Sequence, residues 1–258
     1  MGAQAPTPTP TPKKGHALRN IGIGCGGVLV LFIIIGIASQ GSKPSSTNSN
    51  SAQTSQSSQS SQSDSPRGTP TPPPTAIPDI PLSGRGQTAT QAFPIVGGGL
   101  TIFKANCACG GNFNVEIDDS NGQAKDIPIN VIGAYSGSVA EGLNAGSYIL
   151  KIGADAAWTI TVSQPRRTPA ASLPQTYAAH GQQVVGPFSS SGAVRLVAQH
   201  RGSSNFAVEV WRDDGSREDI PINEIGNYNG STLSGLHGGN HWLGVAADGD
   251  WSIAVSKP

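Results

Sequence analysis

Two stretches of this chain, "DIPINVIGAYSGS" at 126–138 and "DIPINEIGNYNGS" at 219–231, spell nearly the same phrase 93 residues apart. The repeat is wider than the phrase. Residues 112–165 align with 205–258 without a gap and share 26 of 54 positions. Upstream, one two-residue gap brings "GQTATQAF" onto "GQQVVGPF". The chain therefore carries a duplicated unit of about 80 residues, at 86–165 and 181–258, joined by a linker at 166–180. Solenoid repeats are shorter and need three or more copies, so each unit is expected to be a small domain with its own core.

The period inside each unit is two. "FNVEID" puts Phe113, Val115 and Ile117 on one face and Asn114, Glu116 and Asp118 on the other; "FAVEVW" does the same with Phe206, Val208 and Val210. "YILKI" and "HWLGV" alternate alike, as do "WTITV" and "WSIAV" around Trp158 and Trp251. This alternation marks half-buried antiparallel strands. "SNG" at 120–122 and "DDG" at 213–215 supply turn residues that tolerate positive φ, hence hairpins. No segment of either unit shows a helical stripe. The expected fold is mainly β: two tandem antiparallel β-sandwiches, with roughly seven strands each.

In the shared phrase, Pro128 and Pro221 cannot donate to a ladder, which places them on an edge strand or at a strand start. The glycines flanking Tyr135 and Tyr228 permit a sharp turn, with the rings over the core and their hydroxyls bonded locally. The pattern G-x-Y-x-G, then G-x-Y/H-x-L, then A-D-x-x-W-x-I-x-V resembles extracytoplasmic β modules of bacterial single-pass membrane proteins. More distantly it is similar to secreted β-sandwiches of the prepeptidase C-terminal type. The resemblance covers residues 86–258 and rests on turns and core positions. It implies fold and location, and transfers no functional residue.

What precedes the repeats differs in kind. Residues 21–38, "IGIGCGGVLVLFIIIGIA", carry no charge and as a helix would span roughly 27 Å, close to the bilayer hydrocarbon. Lys13, Lys14 and Arg19 precede them and only Lys43 follows before Arg67, so the Pro/Thr-rich tail 1–20 is expected in the cytoplasm and the rest outside. Gly36 and Ala38 would also suit a signal peptidase, but this apolar run is longer than a signal peptide's core, which favours an uncleaved anchor. Residues 41–85, rich in Ser, Gln and Pro, have too few apolar groups to fold and read as a disordered stalk. As a flexible chain it would reach about 35–40 Å.

The same sequence excludes several functions and narrows others. Residues 86–258 hold 10 Lys/Arg against 14 Asp/Glu, so no basic footprint for nucleic acid is present. The copies share no His or Cys, so neither Ser-His-Asp nor Cys-His catalysis is written into the duplicated unit, and no enzyme, cofactor or metal is expected. His237 and His241 are four apart, but in a Gly-rich loop rather than on a zinc-type helix. For Cys107 and Cys109 three states stay open: a bond to each other, a bond between molecules, or two buried thiols.

The sharpest candidate site lies where the copies differ. Alternation places Trp211 and Trp242 on the outward faces of their strands, where the first copy has Asp118 and Ile149. With Arg212 beside them they would form a ligand-binding platform on which a sugar ring could stack. The competing reading is that these tryptophans fill an interface between the two domains. The expected role is non-catalytic binding or adhesion at the cell surface, with envelope polysaccharide as ligand. The alternative is an accessory or sensor subunit that holds a protein partner there.

Overall fold

The computed structural model describes residues 76–166 and 168–258. The tail, the 21–38 segment and most of the stalk lie outside the described residues, among which no helix is long and apolar enough to cross a membrane. Everything below belongs to one compact unit, Arg67–Pro258.

The first repeat contributes β1 (Ile80–Arg85), β2 (Thr88–Ala89), β3 (Phe93–Ile95), β4 (Gly99–Cys107), β5 (Asn112–Asp119), β6 (Ala124–Ile132), β7 (Tyr135–Leu143), β8 (Gly146–Gly153) and β9 (Ala157–Ser163). They form two sheets, ordered β1-β9-β4-β7 and β2-β8-β5-β6, with β3 also on β8. The second repeat contributes β10 (Ala171–Ser172), β11 (Gln175–His180), β12 (Gln183–Ser190), β13 (Val194–Arg201), β14 (Asn205–Arg212), β15 (Arg217–Ile225), β16 (Tyr228–Ser234), β17 (Gly239–Ala246) and β18 (Asp250–Ser256). Its sheets run β11-β18-β13-β16 and β10-β12-β17-β14-β15. Pairing is antiparallel except between β10 and β12. One apolar cluster fills the space between each pair of sheets, around Phe103, Phe113, Leu150 and Trp158 in the first and Phe188, Phe206, Leu243 and Trp251 in the second.

Each sandwich starts before the sequence repeat, the first by one strand (β1) and the second by two (β10 and β11). Ile80–Arg85, read as stalk, pairs with β9, and Gln175–His180, read as linker, pairs with β18 in the equivalent register. "IPLSGR" and "QTYAAH" share no residue, so alignment could not find them. Their strand character comes from the open edges of β9 and β18, which need partners for their backbone groups.

The repeated phrase is built into the frame. β6 and β15 are edge strands, and at Ile127–Pro128 and Ile220–Pro221 their register shifts against β5 and β14. A bulge leaves an unpaired residue, which suits proline's missing N–H. Asp126 and Asp219 accept the N–H of the next isoleucine at 2.7 and 2.8 Å. Two residues beyond each tyrosine a glycine is required by contact: a Cβ on Gly137 or Gly230 would stand 2.8 or 2.7 Å from the hydroxyl of Tyr135 or Tyr228. The shared Asp155 and Asp248 hold the β4–β5 and β13–β14 turns, accepting Gly111 N–H at 2.7 Å and Ser203 N–H at 2.9 Å. Trp158 and Trp251 donate through Nε1 to the carbonyls of Gly86 and Gly181. In the first of the two turns, Cys107 and Cys109 are joined by a disulfide, their Cα atoms 5.2 Å apart. In the second copy His200 fills the site of Cys107, buried and stacked on Phe206 at 4.6 Å.

Candidate functional site at the junction of the repeats

Trp211 and Trp242 are register partners on neighbouring strands β14 and β17. Their neighbours Val210 and Leu243 point into the second core and are fully buried, so both tryptophans leave their own sandwich on its outer side, as alternation requires. That outer side does not face solvent. Trp211 is 8% and Trp242 6% exposed, packed with Leu100 and Ala140 of the first repeat, with Ile102 and Val184 at the margin. The open platform expected from the sequence is therefore not formed; the pair is the apolar centre of an interface between the repeats.

The junction is fixed by polar groups as well. Trp242 Nε1 donates to Asp213 and Trp211 Nε1 to Glu209, both at 3.0 Å, while the Arg217 guanidinium lies 5.9 Å from the Trp211 ring centre. Leu100 N–H donates to the Asp213 carbonyl, and Ser138 N–H to that of Gln182, each at 3.0 Å. The Tyr135 hydroxyl donates to the Gln182 side chain at 3.0 Å, so this tyrosine bonds across the junction rather than locally. The Asp213–Gly215 hairpin tip lies directly on first-repeat backbone. A Cβ on Gly142 would come within 2.1 Å of the Gly215 carbonyl oxygen, and one on Gly99 within 2.7 Å of the Asp213 carbonyl oxygen.

The other sequence candidates fall elsewhere. Arg212 does not join the tryptophans; its guanidinium lies 3.6 Å from Asp214 and 3.8 Å from Glu218. Ile149 lies opposite Asp118 in the β5–β8 pair, outside the tryptophan cluster. His237 and His241 both turn to Glu218, with His241 Nε2 3.0 Å from a carboxylate oxygen and the exposed His237 ring close against the other. Burial alone would raise Glu218, but His237, His241 and Arg212 outweigh it and hold the carboxyl below its usual range. Burial lowers His241, against the opposing pull of Glu218. Among the described residues no group of three or more His, Cys, Asp or Glu is placed to hold a metal.

Beside the tryptophan cluster the two sandwiches leave a cleft of about 570 Å³. Lys104, Ser138 and Ile102 line it from the first repeat, Gln183 and Trp242 from the second, and Asp79 and Ile77 from the segment read as stalk. Ser138 sits at the seam: its hydroxyl donates to Gln183 at 3.2 Å and accepts the Val184 N–H at 2.8 Å. Asp79 and Lys104, both exposed, put one charge of each sign on the walls. Sequence reasoning missed this site because it is assembled from separated segments, of which the repeated phrase supplies only Ser138, its last residue.

Glu141 on β7 lies between Ala140 and Gly142, so its side chain turns to the other side of the sheet, at the edge of the first sandwich, where it borders a recess with Pro128, Glu209 and Gly244. Burial, reinforced by Asp126 and Glu209 against the pull of Arg217, pushes its carboxyl up to about 8. The native state therefore keeps a proton here that an exposed glutamate gives up near 4.5. Stability from this contact is complete below about 4.5, falls as pH rises, and is fully lost above about 8. We expect the stability of the folded chain to drop by a few kcal/mol between pH 5 and 9, on the order set by this shift. Glu141→Gln should flatten that dependence, read as urea midpoints across the pH range. An unchanged slope would show that another group carries it.

No known family profile matches the chain, and no curated protein is similar to it in sequence. Among solved structures, a conserved protein of unknown function, PA5104 from Pseudomonas aeruginosa PAO1, aligns at 18% identity and a TM-score of 0.23, over 69% of this chain and 80% of that one. A cupin 2 conserved barrel domain protein from Leptotrichia buccalis aligns at 9% identity and 0.21, over 72% and 91%. The N-terminal CBM22-1–CBM22-2 tandem domain of Paenibacillus barcinonensis Xyn10C aligns at 10% identity and 0.22, over 69% and 86%. Scores this low leave site and function to be read from the residues of this chain.

Proposed function

We propose that this chain is a non-catalytic binding protein of the cell surface, held to the membrane by residues 21–38, and that it takes an extended polar polymer, an envelope polysaccharide, in the cleft between its repeats. The observation that carries this reading is the cleft's lining: Ser138 and Gln183 amid Lys104 and Asp79, with Trp242 and Ile102 as the apolar floor. Binding clefts combine apolar contact area with a few placed polar groups, and they favour domain junctions. The non-catalytic part draws on how the shared polar side chains are used. Asp126, Asp155, Asp219 and Asp248 are engaged in holding bulges and turns. The surface location draws on the charge asymmetry around 21–38 and on the resemblance to extracytoplasmic modules.

Full-length chain in detergent, titrated with soluble cell-wall polysaccharide fragments, tests the reading. Lys104→Ala and Asp79→Ala should each weaken binding about 5- to 30-fold while leaving thermal unfolding unchanged. Retention of no polysaccharide, or binding indifferent to both changes, would remove the cleft as the site.

One observation favours a protein partner instead. The repeated phrase exposes the same isoleucines in both copies, Ile132 at 88% and Ile225 at 78%, on edge strands β6 and β15. Identical apolar side chains on two open edges would suit a protein that pairs strands with both. Loss of a co-purifying protein in the double variant Ile132→Ser, Ile225→Ser, with polysaccharide binding absent, would select this alternative.

A further inference from the structure

The cleft beside the tryptophans does not stop at Lys104 and Ser138. These two stand opposite each other on the β4–β7 ladder, and two residues along it Asn106 stands opposite Ser136. Side chains two apart in a strand share a face. Phe103, Ala105 and Cys107 point into the first core and are buried, so Ile102, Lys104 and Asn106 all lie on the outer side of β4. Asn106 and Ser136, both exposed, line a second cleft of about 510 Å³. Tyr135 borders it from the first repeat, and Gln182 and Asp248 from the second.

One wall serves both clefts. Gln183 lines the first, and its chain neighbour Gln182 lines the second. Both are tied to β7. The Ser138 hydroxyl donates to the Gln183 side chain at 3.2 Å, and the Ser138 N–H to the Gln182 carbonyl at 3.0 Å. The Tyr135 hydroxyl donates to the Gln182 side chain, also at 3.0 Å. These bonds set the wall in place without a ligand, which lowers the ordering cost of binding.

We infer that the two clefts are subsites of one groove, and that the groove takes a linear glycan without net charge, long enough to fill both. The inference rests on the proposed function and names the class of polymer. Length follows from the floor strand. β4 runs from Ile102 in the first cleft to Cys107 in the second, roughly 17 Å at about 3.3 Å per residue. Each cleft alone has the volume of a small-ligand site, so the two end to end call for a chain of several sugars. The absence of charge follows from the walls. Lys104 stands against Asp79 and Asp248, which leaves no surplus of positive charge to hold a polymer bearing carboxylates or phosphates. His180, also on the second cleft, is turned to Asp250 at 2.9 Å. Asn106, Ser136, Ser138 and Gln183 offer neutral donors and acceptors, the partners that sugar hydroxyls need.

Full-length chain in detergent, titrated with size-fractionated cell-wall polysaccharide fragments from disaccharide to octasaccharide, in separate neutral and anionic pools, tests the groove. Affinity for the neutral pool should rise about tenfold or more between fragments that fill one cleft and fragments that span both, then level off. Asn106→Ala and Ser136→Ala should each weaken the long fragments about 5- to 20-fold at an unchanged unfolding midpoint, since both side chains are exposed. Long-fragment binding that responds to Lys104→Ala but to neither of these changes would leave the proposed function standing and overturn the single groove. So would an affinity that does not grow with length, or binding confined to the anionic pool. Binding of neither pool would remove the proposed function itself, and the groove with it.

Discussion

Trp242→Ala is expected to uncouple the two sandwiches. The ring is 6% exposed at the centre of the junction and donates to Asp213, so its loss removes the main apolar contact and strands a carboxylate. Large aromatic truncations at buried sites cost about 3–5 kcal/mol, and here the cost falls on the docking rather than on either core. The single unfolding transition of the pair should split into two, each sandwich of about 80 residues being marginal by itself. Calorimetry of the variant checks this. A single transition displaced by less than about 1 kcal/mol would mean that the tryptophan cluster does not hold the repeats together. Gly142→Val tests the same contact without removing apolar surface, because its Cβ would meet the Gly215 carbonyl at 2.1 Å. It should split the transition too, whereas Gly235→Val, at the equivalent position of the second repeat with nothing within 4 Å of a Cβ, should leave unfolding within about 0.5 kcal/mol of the parent.

The second large effect belongs to the core. Trp251 is 3% exposed, lies in the second sandwich's cluster, and donates to the Gly181 carbonyl at 2.8 Å. Trp251→Ala should destabilise the second repeat by roughly 3–5 kcal/mol in urea unfolding. Trp251→Phe, which keeps much of the ring area but not the donor, should cost about 1–3 kcal/mol as the half-buried Gly181 carbonyl loses its partner. Equal losses for the two would show that packing dominates and that the hydrogen bond contributes little. The homologous Trp158, bonded to Gly86, should behave alike, which makes the pair an internal control.

Much of this architecture was readable in advance because it rests on local rules. Alternation in "FNVEID", "FAVEVW", "WTITV" and "WSIAV" sets which side chains enter each core, since successive residues of a strand face opposite sides whatever lies beyond the sheet. The double phrase around Pro128 and Pro221 marks an edge because a residue without an N–H cannot serve two neighbours. The same alternation correctly sent Trp211 and Trp242 away from their own core. It could not say what lay on the far side. Solvent exposure depends on a second surface, and that surface is brought there by Gly99, Gly142 and Gly215, whose role is a backbone approach between segments far apart in the chain. Nor could the duplication reveal β1 and β11, whose strand state follows from the vacant edges of β9 and β18 rather than from their own unlike residues. The cleft exists only after the repeats dock, and the proton held by Glu141 depends on burial and on charges brought from distant segments, which only the folded chain supplies. Periodicity acts between near neighbours and is written along the chain, while the contact of two finished surfaces is decided by their shapes in space.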